Sequence, residues 1–198
     1  AHAAVAAAAG GRSRVEWRSN LDFPLPVLIG QAAAADLVVV GRKGQSGPVL
    51  FSVDPGDLVM HLGRPILVVP PGIDHLDARR VVIGWKNTRE ARRAVRDALP
   101  FLSRASRVVV VSIDEGEGAD EAGDVVGFLQ AHDIDATATR WESGGGPPSR
   151  ALFEAAAEQA ADLIVLGAYG HGRLREWVFG GVTRDLLAGA PVCCLMSH

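Results

Sequence analysis

Apolar and polar residues alternate in blocks through the second half of the chain, and the blocks predict strands and helices in turn. Val81–Trp85 and Arg107–Ile113 are short apolar runs that predict strands. The four consecutive valines of the second run are typical of a strand covered on both faces. Between these runs, apolar residues recur every three or four positions over Ala91–Leu102, which predicts an amphipathic helix. Asn87, followed three residues later by Glu90, is the predicted start of that helix.

The same alternation continues to the end of the chain. Strands that alternate with helices predict a parallel sheet with helices on both faces. Because crossover connections are right-handed, a doubly wound, five-stranded parallel sheet is the natural topology, and the predicted fold class is α/β. Further helices are predicted at 122–129, 149–161 and 182–188, and further strands at 136–141, 162–166 and 191–196.

Part of this pattern occurs a second time near the start of the chain. Asp36–Gly44 matches Asp162–Gly170, and Gly63–Pro70 matches Gly189–Met196. The offset is 126 positions in both matches, so a strand, a loop, a helix and a second strand correspond without a gap. Chance rarely gives such a match, and we therefore interpret it as a duplicated α/β unit.

The two copies differ in completeness. Val15–Trp17 matches the end of the third strand of the other copy, at Trp141, with a small change in spacing. We interpret residues 1–72, the first unit, as a partial and degenerate repeat that holds counterparts of only the last three strands. Residues 79–198, the second unit, form a complete domain. Missing strands would leave backbone groups unpaired, so we expect the natural protein to have further N-terminal sequence.

Composition restricts the class of protein further. Of the 198 residues, 48% are hydrophobic and 22% are charged, which is typical of a globular protein. No stretch reaches the roughly 18 uninterrupted apolar residues of a membrane-spanning helix, so no membrane partner is expected. The net charge of −3 disfavours a nucleic-acid partner, because proteins that coat nucleic acids are usually basic.

The two cysteines, Cys193 and Cys194, are adjacent within a predicted strand. Two neighbouring cysteines exclude a disulfide framework and a Cys-rich zinc site, and they bridge poorly with each other. We interpret them as buried strand residues rather than as a redox pair. Free thiols of this kind are typical of a reducing compartment, so the expected location is cytoplasmic.

Four glycines surround the loop that follows the predicted strand 162–166. Gly167 and Gly170 allow a tight turn and a close approach of the backbone to a ligand. Gly180 and Gly181 come directly before a predicted helix, whose unpaired amides and dipole favour an anion. The segment is therefore a candidate anion site, although the same glycines also fit a purely structural role in turns and helix ends.

The spacing of these glycines resembles a known signature. The series is similar to the phosphate-binding motif of the universal stress protein family: a strand, a glycine, two residues, a glycine, nine residues, a glycine and a helix. The strand end Ile83–Trp85, the strand Val108–Ile113 and the closing Gly189–Val192 agree with the same family. The resemblance covers 79–198 as a full unit and 1–72 as part of a second, which is the arrangement of tandem members.

The resemblance implies a fold similar to the adenine nucleotide alpha-hydrolases, with ATP, accompanied by magnesium, at the carboxyl edge of the sheet. In members that bind ATP, the glycine loop holds the ribose and phosphates, and an apolar strand end packs on the adenine. The residues that match the nucleotide-binding positions are Gly167, Gly170, Gly180, Gly181, Val182, Thr183, Ile113 and Lys86.

Two of these residues depart from the family pattern. Gly181 stands where a Ser or Thr hydroxyl usually contacts phosphate, and Lys86 stands where an Asp usually lies near the nucleoside. Loss of one hydroxyl hydrogen bond costs about 0.5–1.5 kcal/mol, and the backbone amides of residues 181–183 can still hold a phosphate. Lys86 can itself pair with phosphate. Binding of a nucleotide by the second unit and the absence of binding therefore both remain open.

The first unit has lost the motif. Asp54 and Pro55 stand where Gly180 and Gly181 stand in the second unit. Asp54 places a negative charge at the expected anion position, and Pro55 removes an amide donor. We therefore expect that the first unit does not bind ATP in the manner of the family.

Other candidate groups give weaker signals. His171 has no second ligand at metal spacing, and Arg173 and Arg175 are interpreted either as a solvated face or as partners of a phosphate. The sequence contains no P-loop, no nucleophile elbow and no catalytic cysteine motif. The chain is therefore not expected to be an enzyme, and weak ATP hydrolysis is the least favoured hypothesis.

Two functions follow from these observations. The first is a cytoplasmic stress-response module whose stability or choice of partner responds to a bound nucleotide. The alternative is a scaffold that binds no nucleotide, in which two units form an intrachain pseudo-dimer or two chains form a homodimer. In either case the apolar last strands, 65–69 and 191–196, are expected to form the contact, because open strand edges favour pairing.

Overall fold

The computed structural model describes residues 15–42, 53–114, 122–142, 144–170 and 181–198, together with Ala7 and Gly10. Within these ranges the helices are α1 (Pro24–Gln31), α2 (Pro55–His61), α3 (Arg89–Leu102), α4 (Ala122–Gln130), α5 (Pro148–Glu158) and α6 (Gly181–Gly189). The strands are β1 (Val38–Gly41), β2 (Ile66–Val69), β3 (Arg80–Trp85), β4 (Arg107–Asp114), β5 (Ala136–Glu142), β6 (Leu163–Gly167) and β7 (Cys193–Ser197). None of these helices has the length and hydrophobicity that a membrane crossing requires.

The strands form one sheet in the order β1-β2-β7-β6-β3-β4-β5. The five strands of the second unit are mutually parallel, with β3 between β6 and β4. This arrangement confirms the predicted α/β class with a doubly wound parallel sheet. β1 is parallel to β2, whereas β2 is antiparallel to β7, so the first unit extends the same sheet by two strands.

Helices cover both faces of the sheet, as predicted. On one face, α3 and α4 pack through fully buried residues that include Ala94 and Leu129. On the other face, the apolar cluster includes Leu58 of α2 and Leu152 of α5, with residues of α1 and α6. The four residues of Val108–Val111 alternate between the two clusters, which explains why this strand is apolar throughout.

Helix α3 begins one residue later than predicted. Thr88 is its N-cap, not Asn87, because the Thr88 hydroxyl accepts a hydrogen bond from the Ala91 amide at 3.2 Å. Threonine and asparagine are both suitable N-caps, so residue type alone does not choose between neighbours. Because the helix begins at Arg89, the side chain of Glu90 turns into the protein, where it is 4% exposed.

The predicted counterpart of β5 in the first unit is not a strand. Val15–Trp17 has no regular secondary structure, and the side chains of Val15 and Trp17 are exposed. In the second unit, β5 is an edge strand that pairs with β4. The described part of the first unit has no counterpart of β4, so this segment has no equivalent strand with which to pair.

The junction between the two units is symmetric. Val68 pairs with Cys194, which lies 126 positions later and is therefore its equivalent in the predicted repeat. Leu67 pairs with Leu195, the equivalent of Val69. Two equivalent strands that pair antiparallel, with a residue of one opposite its own equivalent in the other, are related by a local twofold axis.

Two arginines also join the units. Arg42 Nη1 donates to the carbonyl oxygen of Ala190 at 2.7 Å. Arg93 Nη2 donates to the carbonyl oxygen of Gly63 at 3.0 Å, and its Nη1 donates to the carbonyl oxygen of His198 at 3.1 Å. The first unit is therefore attached to the second through side chains as well as through the strand pair.

Candidate functional site

The first glycine of the candidate loop is required by the packing of α3. A side chain on Gly167 would begin 2.6 Å from the carbonyl carbon of Glu90 and 2.9 Å from Ala91 Cα, closer than real Cβ atoms approach. The start of α3 therefore lies directly against the end of β6. This close approach accounts for Gly167 without any ligand.

The second glycine faces side chains of the same helix start. A side chain on Gly170 would begin 2.9 Å from Thr88 Oγ1 and 3.1 Å from Glu90 Oε2. Gly167 and Gly170 thus bring the loop onto the first turn of α3. The structure places the end of β6, the start of the loop and the N-terminus of α3 in one cluster at the carboxyl edge of the second unit.

Glu90 is a buried carboxylate within this cluster, with 3% of its surface exposed. Burial by itself would raise its pKa. Hydrogen bonds from Arg89, from its own amide and from Thr88, together with the positive charge of Arg89, outweigh burial and hold the pKa of Glu90 below its ordinary value. Glu90 is therefore charged and hydrogen-bonded, and its lowered pKa makes it a weak general base.

Tyr169 lies between the two glycines in a conformation that is rare for a residue with a side chain. Its φ is 55°, in the left-handed region, which costs on the order of 1–3 kcal/mol for a residue other than glycine. Its amide donates to Thr183 Oγ1 at 3.4 Å and so joins the loop to α6. Thr183 is buried, so its hydroxyl faces the loop backbone inside the protein.

Helix α6 begins at Gly181, and its first turn is where the sequence predicts an anion. The first amides of a helix have no acceptor within it, and Gly181, Val182 and Thr183 donate no backbone hydrogen bond to another described segment. Space is open at Gly181, where an added side chain would meet no described atom within 4 Å. The other predicted residues of this loop lie outside the described residues: Gly180, His171, Arg173 and Arg175.

Lys86 and Ile113 lie side by side at the same edge of the sheet. Trp85 is in register with Ser112, so the residues that follow them on β3 and β4 are neighbours. Lys86 is exposed, whereas Ile113 is half-buried and packs against the same apolar cluster as Val182. The predicted apolar contact and the start of α6 are therefore on the same face of the sheet.

Comparison with known families decides the identity of this arrangement. The model of the universal stress protein family matches residues 78–198, more than half of the chain. The chain belongs to the universal stress protein family. No curated protein matches this universal stress protein in sequence.

Solved universal stress proteins have the same fold. One from Archaeoglobus fulgidus DSM 4304 is 18% identical, with a TM-score of 0.69 over 88% of this chain. This chain spans 64% of the length of that protein. A putative universal stress protein from Pseudomonas aeruginosa UCBPP-PA14 is 15% identical, with a TM-score of 0.61, and the match covers 99% of this chain and 77% of that one.

The first unit of this universal stress protein has a different helix start. Asp54 precedes α2, and its Oδ1 accepts hydrogen bonds from the amides of Gly56 at 2.7 Å and Asp57 at 3.2 Å. Pro55, the first residue of α2, has no amide to donate. The carboxylate of Asp54 therefore occupies the amides that an anion would otherwise bind.

The two cysteines are free and buried in β7, where the sequence predicts them. Burial, with the neighbouring Cys193 thiol, raises the pKa of Cys194 to about 12. Burial and the charge of Asp162 raise the pKa of Cys193 as well. Thiols with raised pKa values are poor nucleophiles, so these side chains act as apolar core residues.

Sequence reasoning missed three residues of the site. Thr88 and Glu90 face Gly170, although the sequence assigned only a capping role to this segment. Tyr169 connects the loop to α6, and no motif singled it out. Its position between two glycines was the only local signal, because its contacts come from residues distant in sequence.

Proposed function

We propose that this universal stress protein is a stress-response module that binds ATP or a related nucleotide through its second unit and does not use it as an enzyme. One observation carries the proposal. The first turn of α6 begins at Gly181, where an added side chain would meet no described atom within 4 Å, whereas the corresponding turn of α2 is closed by the carboxylate of Asp54. Of these two helix starts, that of α2 is closed by its own carboxylate, and we assign the anion to that of α6.

The residues at this edge suit the parts of a nucleotide. The amides of residues 181–183 and the helix dipole suit a phosphate, and Lys86 supplies a positive charge at the neighbouring strand end. Ile113 supplies an apolar surface for a base. Among the described residues no group of His, Cys, Asp and Glu could hold a metal ion, so magnesium would arrive on the phosphates that it binds.

Binding would act by changing the stability of the loop and its surroundings. A ligand that binds only the folded state stabilises it by an amount that grows with its concentration above Kd. The loop packs on α3 through Gly170 and on α6 through Thr183. A bound phosphate would therefore order three elements together, and a protein partner could recognise that ordered surface. We place this activity in the cytoplasm, with no nucleic-acid or membrane partner.

The second candidate function is a scaffold that binds no nucleotide. The symmetric register about Val68 and Cys194 favours it, because it gives the chain an internal twofold axis like that of a dimer. In that case the two units form an intrachain pseudo-dimer through β2 and β7, and Gly167 and Gly170 serve packing alone. Weak ATP hydrolysis is a third and lesser candidate.

Calorimetric titration separates these functions. Wild-type protein is titrated with ATP and with ADP up to millimolar concentration, with and without magnesium, alongside Gly180→Asp, which copies Asp54 of the first unit. Gly123→Asp is the charge-matched control, because Gly123 lies on the exposed side of α4 and an added side chain there would meet no described atom within 4 Å. We expect wild type and the control to bind alike and Gly180→Asp to lose more than about tenfold in affinity.

Other results would identify the alternatives. No heat and no rise in melting temperature with wild type would favour the scaffold. Equal affinity of wild type and Gly180→Asp would place the nucleotide elsewhere. ADP produced from ATP above the rate in buffer would indicate hydrolysis.

A further inference from the structure

We propose that Tyr169 is a positioning residue that ties the glycine loop of the second unit to helix α2 of the first unit. The functional consequence rests on the proposed nucleotide binding, because the loop is the part that would hold the ligand. The tie itself stands on described residues of both units.

The hydroxyl of Tyr169 lies at the start of α2. A side chain on Gly56 would begin 2.6 Å from the Tyr169 hydroxyl oxygen and 2.8 Å from Asp54 Oδ1. Leu187 Cδ1 of α6 would be 3.5 Å from the same point. The phenol therefore reaches from the loop of the second unit to the capped helix start of the first, and glycine at position 56 leaves room for it.

Tyr169 is held at its backbone, and its hydroxyl lies against the start of α2. Its amide donates to Thr183 Oγ1, and its ring packs against the apolar cluster beneath α2, α5 and α6. A left-handed φ at a non-glycine residue persists only where the surroundings determine it. The turn Gly167–Gly170 therefore takes its conformation from contacts with both units.

Three charged groups act electrostatically on the phenol. They are Asp54, the N-cap of α2, Asp57 within α2, and Arg184 on α6. Burial is the largest cause that raises the pKa of Tyr169, the two carboxylates raise it further, and Arg184 opposes them. Because both carboxylates belong to the first unit, the ionisation of this phenol reports on the contact between the units.

The same residues explain what the first unit contributes. Asp54 has closed the helix start of α2 as an anion site, and its carboxylate now lies beside the phenol that shapes the loop of the second unit. The degenerate unit is thus a support for the binding loop of the intact one.

Spectroscopic titration tests the tie. Tyr169 is the only tyrosine of the chain, so tyrosinate absorbance reports on this residue alone, with circular dichroism at each pH to show that the protein is folded. We expect a midpoint above the ordinary value of about 10. Asp54→Asn keeps a capping side chain but removes the charge, and it should lower the midpoint. Asp74→Asn removes a charge that does not act on the phenol, and it should leave the midpoint unchanged.

Nucleotide affinity tests the positioning. Tyr169→Ala removes the tie, and Gly56→Ala pushes against it from the first unit. Each should weaken ATP binding about tenfold, because the cost of ordering the loop would then reduce the observed free energy of binding. Gly41→Ala, at an open position of the first unit, should leave affinity unchanged.

The two measurements test the tie and the positioning of the loop independently of each other. A midpoint near 10 that ignores Asp54→Asn would overturn the tie. If wild type binds ATP and neither alanine variant weakens it, Tyr169 does not position the loop. If wild type binds no nucleotide, the proposed function fails, while the titration still shows whether Tyr169 is held at α2.

Discussion

Helices α2 and α6 occupy equivalent positions in the repeat but begin in opposite ways. α2 begins at Pro55, and the carboxylate of Asp54 before it accepts hydrogen bonds from two amides of the helix. α6 begins at Gly181, where an added side chain would meet no described atom within 4 Å. Asp54 and Pro55, which align in sequence with Gly180 and Gly181, thus give α2 a helix start that is capped by its own carboxylate. Two segments that match in sequence can therefore form the same elements and still differ at the residues that begin a helix.

Strands β1 and β6 show the same divergence in packing. Val39 and Val165 are equivalent in the repeat, yet Val39 is 59% exposed and Val165 is fully buried. β6 has β7 on one side and β3 on the other, and Val165 belongs to the cluster beneath α3. Among the described residues β1 pairs only with β2. An apolar strand pattern therefore does not fix burial, because burial depends on neighbours.

The largest expected difference in stability between the units is at the glycine that ends β1 in the first unit and β6 in the second. Gly167→Ala should lower the free energy of unfolding by about 3 kcal/mol, because the new Cβ would collide with the backbone of α3. Gly41→Ala, its counterpart, meets no described atom within 4 Å and should leave stability unchanged or raise it by up to about 1 kcal/mol. Urea unfolding measures both, and equal losses would contradict the packing described here.

The two valines compared above, Val39 and Val165, give the next largest difference in stability. Val165→Thr places a hydroxyl in a fully buried site and should cost about 2 kcal/mol. Val39→Thr lies on an exposed surface and should change stability by less than about 0.5 kcal/mol. Thermal and urea unfolding of the two variants provide the comparison. A large loss at Val39 would show that this face is covered in solution.

The cap of α2 should have a smaller effect. Asp54→Ala leaves the amides of Gly56 and Asp57 without their acceptor and should cost about 1 kcal/mol. Asp54→Asn keeps a capping oxygen and should cost only a few tenths of a kcal/mol. Unfolding in urea distinguishes them. If both variants were as stable as wild type, the carboxylate would not be closing this helix start.

The smallest expected effect is a gain in affinity for ATP. Gly181→Ser restores the hydroxyl that the family usually has at this position, and the added side chain would meet no described atom within 4 Å. One added hydrogen bond should tighten ATP binding by about threefold, with little change in melting temperature. Calorimetry against wild type measures the gain. Weaker binding would indicate that the phosphate does not lie beside residue 181.

The sheet of the second unit was predictable because its signals are local. Four valines in series and helices with regular apolar spacing identify β4 and α3 from residues that are close in sequence. Helix ends were less predictable, since Thr88 and Asn87 are both suitable caps. Val15–Trp17 matched a strand in sequence but has no strand neighbour in the described structure, so the prediction from the sequence match was wrong there.

The candidate site was predictable only in part. Glycine spacing identified the loop, but the reason for Gly167 is the backbone of α3, which is distant in sequence. The buried position of Glu90 depends on where α3 begins, and the position of Tyr169 depends on how the two units pack. Each is a long-range contact, which no pattern of neighbouring residues contains.

The stoichiometry of nucleotide binding tests the contrast between the two helix starts most directly. Native mass spectrometry of the wild-type chain in excess ATP counts the nucleotides on each chain. One nucleotide per chain, absent in Gly180→Asp, is the predicted result. Two nucleotides would contradict the closure of the first unit by Asp54, and none would contradict an open site at the start of α6.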